Sequence, residues 1–137
     1  MAIIQTQCTS FKAELYAGVH DLTTDTLKMA LYEASADLGA ATTAYTATGE
    51  ISGAGYTAGG VTLTGVSIGS SGGTAWVTFD NPSWTGASFT ARGALIYNSS
   101  KANRAIAVLD FGADRTTTGT FTVTLPVASA TTALIRS

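Results

Sequence analysis

A single cysteine, Cys8, and a single histidine, His20, stand in a chain of 137 residues. One cysteine excludes an internal disulfide, and a zinc site would want further ligands that this chain does not supply. Charge is scarce as well: Lys, Arg, Asp and Glu make up 12% of the residues, against roughly a quarter in an ordinary folded domain. Seven basic residues against nine acidic ones leave a formal charge of −2, and the basic ones are scattered from Lys12 to Arg136. Without a basic stripe to displace counterions, nucleic acid is not an expected partner. No apolar run approaches the roughly 20 residues of a membrane helix, so a membrane is not expected either. The opening MAIIQTQCTS has neither the positive start nor the long apolar stretch of a secretory signal, and the product is expected to be soluble and made in the cytoplasm.

What is present is a hydrophobic content of 45%, together with abundant Thr, Ala, Ser and Gly. That is enough apolar material for one core, and residues 1–137 are expected to form a single β-sandwich domain. The surface must then be largely uncharged and rich in hydroxyls.

One helix is predicted, over SFKAELYAG, with Ser10 as its N-cap, Phe11 and Leu15 on one face and Gly18 in the left-handed position that ends it. From TLKMALYE onward the period becomes two. Leu27, Met29 and Leu31 share one face, which predicts a half-buried strand. Alternating runs recur at 61–68, 74–79, 88–97, 104–111 and 120–125 and in the terminal ALIR. They are separated by turn-forming clusters such as GSSGG, DNPSW and NSSKAN. Such spacing predicts an all-β fold with one short N-terminal helix, either an antiparallel β-sandwich or a jelly roll, since a parallel sheet would need crossover helices. In VTLTGVSI the apolar phase slips at Gly65, which a β-bulge would explain. In TFTVTL, Phe121, Val123 and Leu125 point one way and Thr120, Thr122 and Thr124 the other. The threonine face is polar yet carries no charge to desolvate, so another protein can cover it at little Coulombic cost.

Several stretches imitate catalytic motifs. In GEISGAGYTAGG, Gly53, Gly55 and Ala58 have the spacing of a dinucleotide-binding loop. That loop must open a helix, whereas a strand pattern follows Gly60, so the glycines are expected to turn a corner into Val61, with Tyr56 packing across the bend. DFG at 110–112 lacks every companion of a kinase site and reads as a strand end turning at Gly112. His20, with Asp21 and Asp25 nearby, is expected at the C-terminal end of the helix, meeting the negative end of its dipole, rather than in a triad. NSS at 98–100 matches a glycosylation sequon but suits a polar hairpin tip. Tyr45, Tyr56, Trp76 and Trp84 offer rings for a sugar site. Aromatic residues on sandwich strands are more often core, but Tyr56 and Trp84 sit in turn-like segments where exposure is expected. No catalytic residue, metal ligand or cofactor is assigned.

The phrases FKAELYAGVHDLTTDTLKMALYEASADLG, TTAYTATGEISGAGYTAGGVTLTG, AWVTFDNPSWTGASFTARGALIYN and AIAVLDFGADRTTTGTFTVTLP occur in this order along nearly the whole chain. In them the protein resembles a family of small virion structural proteins of tailed bacteriophages. The resemblance implies a protein without catalysis that binds by area. The favoured form is a capsid decoration or cement protein, frequently a homotrimer, clamped across junctions of the major capsid protein on the outer surface of the head. The alternative is a tail or fibre component that recognises a host surface glycan, with exposed Tyr56 and Trp84 as its contacts. An enzyme acting on cell-wall polymer is a third, weaker choice, because no carboxylate pair is evident. Residues 1–9 are expected either to form an N-terminal arm whose Ile3 and Ile4 reach a neighbour, or to pair as an edge strand within their own domain. The possible interface residues are therefore Ile3, Ile4, Tyr56 and Trp84.

Overall fold

In the computed structural model, residues 2–126, 129 and 131–136 are described. Met1, the first residue of the expected arm, lies outside them. The alternating sequence folds into two antiparallel sheets and one short helix, an all-β sandwich-like fold. The chain runs β1 (Thr6–Gln7), α1 (Thr9–Tyr16), β2 (Leu27–Tyr32), β3 (Val61–Thr62), β4 (Ser67–Ser71), β5 (Thr74–Thr78), β6 (Ser83–Asn98), β7 (Arg104–Thr122) and β8 (Ile135–Arg136). The larger sheet has the order β1-β7-β6-β2-β3, and the smaller one β4-β5-β8.

β6 and β7 form one long hairpin, joined by a single 3₁₀ turn at Ser99–Lys101. Its inner half is core: Ala94, Leu95, Ile96, Ala105, Ile106, Ala107 and Val108 are wholly buried. β2 joins this half with Met29 opposite Ile96 and Leu31 opposite Ala94. It is not half-buried as its alternation predicts, because Ala30 and Tyr32 are as closed off as Met29 and Leu31. Tyr32 on that second face donates its hydroxyl to Thr46 O at 2.7 Å, in the long segment between β2 and β3. One continuous hydrophobic cluster takes in Phe11 of the helix, the large sheet and Ile135 of the small one.

Three local expectations change. The helix begins at Thr9 with Cys8 in the cap position, and no side chain caps it. Cys8 N–H is already bound to Ile106 O, so the chain is fixed to β7 before Ser10 is reached. Ser10 turns its hydroxyl to Thr42 O instead. Phe11 is buried but Leu15 and Tyr16 are exposed, so the helix seats a single ring rather than a stripe. Its end is as predicted: Gly18 has φ +73°, with Gly18 N–H on Leu15 O and Val19 N–H on Glu14 O, the paired bonds of a Schellman stop. At Gly65 there is no bulge in a continuous strand. The chain leaves the large sheet after Thr62 and enters the small one at Ser67, which is why the apolar phase slips. Gly112 does not end a strand either. β7 runs through it, and the residues between Asp110 and Arg115 form an irregularity opposite Ala91 and Gly93.

Candidate functional site

The glycine-rich stretch forms a closed polar clamp. Glu50 accepts Tyr45 OH at 2.6 Å and Gly59 N–H at 2.8 Å, and it also accepts the Tyr56 hydroxyl. Tyr56 in turn accepts Leu31 N–H at 3.1 Å, standing in for a missing strand neighbour along β2. Tyr97 donates to Gly59 O at 2.6 Å and its ring lies 4.8 Å from that of Tyr45. Burial first, and then the bonds to Glu50, push the Tyr45 and Tyr56 hydroxyls well above the ordinary tyrosine range, which keeps them as donors. Gly60 passes so close to β2 that a Cβ would sit 1.8 Å from Met29 O, and its φ is +84°. This corner holds chain to chain. β3 and not a helix follows it, so it offers no N-terminal amides to a phosphate.

A second polar cluster joins the helix to the hairpin tip. His20 is buried, with Nε2 2.9 Å from Glu14 Oε1, Nδ1 2.9 Å from Asn98 Nδ2 and its ring 5.1 Å from Phe11. Its partners are thus side chains and not the helix dipole, contrary to expectation, because Gly18 has already turned the chain away. Arg104 Nη1 reaches the other oxygen of Glu14 at 2.8 Å. Burial would raise the Glu14 carboxyl, but His20 and Arg104 outweigh it and hold it below its usual value. Asn98 also donates to Asp25 Oδ2 at 2.8 Å, and Lys101 Nζ approaches Asp25 Oδ1 at 3.0 Å. Among the described residues no three His, Cys, Asp or Glu side chains are placed to hold a metal ion. Asn98 of the sequon is wholly buried, and the tip itself is Ser99–Lys101.

The expected interface residues are not brought together. Ile3 is buried in the core and bridges Leu38, while β1 pairs with β7 through Thr6 and Gln7, so the segment docks on its own domain as an edge strand rather than reaching out as an arm. Only Ile4 faces solvent, at 62% exposure. Trp84, expected in an exposed turn, lies within β6 at 3% exposure, against Phe121 at 5.9 Å. Its indole N–H is buried without a hydrogen-bond partner. Tyr56 is half-buried with its hydroxyl engaged, and Trp76 lies across Gly69 within the β4–β5 pair. Neither Tyr56 nor Trp84 presents a free ring.

An uncharged row of hydroxyls lies instead on the outer half of the β6–β7 hairpin. Phe121 and Val123 are buried while Thr120, Thr122 and Thr124 are exposed, in the alternation their sequence requires. Thr116 and Thr118 extend the exposed row, which the division of β7 into two strands concealed. Along it runs a groove of about 720 Å³ bordered by apolar Phe111, Phe121 and Pro126 and, at its rim, by charged Asp110, Asp114 and Arg115. No family model, curated protein or solved structure matches the chain. Among the described residues no helix is long and apolar enough to cross a membrane.

Proposed function

We propose that this protein is a non-enzymatic structural component of a tailed-phage virion, a decoration protein that binds across junctions of the major capsid protein on the outside of the head. The observation that carries the reading is the exposed threonine row that runs from Thr116 in β7 to Thr124 just past its end, at alternate positions. These hydroxyls can be covered without stranding a charge, and a partner's backbone can replace their water. The sequence resemblance supplies the context. Area binding at several equivalent sites gives avidity from modest contacts, which suits a homo-oligomer; the resemblance implies a trimer. The two polar clusters are engaged within the chain, and the reading asks no chemistry of them.

The alternative, a tail or fibre component recognising a glycan through Tyr56 and Trp84, loses support from the positions of those rings. Purified protein mixed with heads that lack it, followed by pelleting and copy counting, tests the proposal. Saturable binding in many copies over the head is expected. Binding confined to a tail tip, or none at all, would sink it.

A further inference from the structure

Every sheet has edges, and most of the edges here are cut short: β1, β3 and β8 are two residues each. Two are not. The first is the outer part of β7. Its free side is covered in turn by Thr43 and Tyr45, by β1, and by the Gln5 side chain on Asp110 N–H. Beyond Asp110 no strand among the described residues pairs with that side.

The register shows which groups it offers. Ser88 N–H is spent on Ala54 O, away from β7, so Ser88 and Thr118 oppose each other as a non-hydrogen-bonded pair. Thr118 therefore turns its own N–H and C=O to the open side, and Thr116 does the same. The Thr90 and Thr116 hydroxyls meet at 2.7 Å, the close side-chain approach of such a pair. Thr116 to Thr122 contains no charge and no proline to repel a guest strand.

The second open edge is β4. Among the described residues it pairs only with β5, through a two-residue turn in which Gly72 and Gly73 have φ +59° and +86°. No residue from Ser67 to Thr78 is fully buried. β5 joins the body through its pairing with β8 and through Val77, which packs against the core, while the β4 side leaves Val66 and Ile68 exposed, Ile68 at 55%. Val66 to Ser71 is also free of charge. As the outermost strand of a three-stranded sheet, β4 has one side of its backbone unpaired and gains from a strand to rest on.

We propose that these two edges are partners between copies: β4 of one molecule adds as a strand along the outer edge of β7 of the next. Val66 and Ile68 then enter the groove beside Phe111, Phe121 and Pro126. Backbone bonds to Thr116 and Thr118 supply affinity and the two apolar side chains set the register. Because the two surfaces differ, the contact is head-to-tail, and each added copy leaves one edge of each kind open until a ring closes. The contact deepens the homo-oligomer part of the proposed function and rests on it only there.

The test is the mass of the purified chain in solution. A multiple of the 13.9 kDa chain mass, three copies or more, is expected. Ile68→Lys, which disables the hairpin, and Thr118→Pro, which removes an outward N–H, should each give a folded monomer. Thr118→Lys serves where the proline variant fails to fold. Mixing the two monomers is decisive. One intact hairpin and one intact edge remain, so the mixture should form a 1:1 dimer that grows no further. A chain that is monomeric up to millimolar concentration, an oligomer that survives both substitutions, or variants that do not pair when mixed would each overturn the contact. Particle binding is read separately. A wild-type chain that is monomeric yet decorates heads overturns the edge contact and leaves the proposed function standing, and an oligomer that is dissolved by both substitutions but ignores heads does the reverse.

Discussion

Glu50 sits where donors from both ends of its loop converge, and no cation accompanies it among its hydrogen-bond partners. Removing the carboxylate strands the Tyr45 and Tyr56 hydroxyls and Gly59 N–H together. Glu50→Ala should therefore cost about 2–4 kcal/mol, and Glu50→Gln, which keeps the shape and one oxygen, about half as much. Denaturant midpoints of the two variants check the order; an alanine variant as stable as wild type would show that the clamp holds nothing. Asp25 provides the pH-sensitive counterpart. Burial by itself would raise its carboxyl, but the Asn98 amide, the Asp21 N–H and Lys101 outweigh it and hold it at about 2, against an ordinary 3.8. A depressed folded-state value stabilises above the unfolded value and is lost as pH falls through the folded one. Wild type should thus exceed Asp25→Asn by on the order of 2 kcal/mol near pH 6, with the gap closing between about pH 4 and pH 2. Urea titrations at fixed pH values measure that gap directly.

At the scale of elements, the β6–β7 hairpin is one object with two characters. Its inner half is packed on both faces, and its outer half exposes every second residue or more. Amides of Ala94 to Ile96 and Ala105 to Val108 should exchange with solvent only through global unfolding. Those of Ser67 to Thr78 and Thr116 to Thr122 should exchange orders of magnitude faster. Hydrogen exchange resolved by residue reads this, and uniform protection along β7 would contradict it. The same division explains what the sequence made legible. Runs of apolar and β-branched residues between turn-forming clusters located β2, β5 and the buried cores of β6 and β7, although β2 and those cores are buried on both faces and not on one. They could not show that 104–111 and 120–125 are one strand, since Gly112 and Gly119 look like breaks yet are absorbed by irregular pairing. Nor did they separate Ile3 from Ile4: their neighbour on the buried side, Leu38, is 35 residues from Ile3 along the chain. Glu50 was missed for a related reason, because its donors come from a loop with no periodicity. Five tyrosines in so small a chain were the available signal.

For the whole molecule, the scarcity of charge sets the character of any assembly it enters. Among the described residues Arg92, Lys101 and Arg104 each pair with a carboxylate of the same chain. The threonine row, with Thr116 to Thr122 of β7 and Val66 to Ser71, is uncharged. A contact built on backbone bonds, hydroxyls and a few apolar side chains has little Coulomb energy for salt to screen. Raising ionic strength from 0.05 to 0.5 M shortens the screening length from roughly 14 to 4 Å, which would markedly weaken a contact steered by exposed charges. On the proposed decoration role, the affinity for heads should change by less than about threefold over that range, and apolar burial should make it slightly stronger in sulfate. Binding isotherms on particles in chloride and in sulfate check both signs. A loss of tenfold or more in chloride would mean that the surface meeting the particle is one of the charged ones, such as the Asp110–Arg115 rim of the groove, and that the threonine row faces something else.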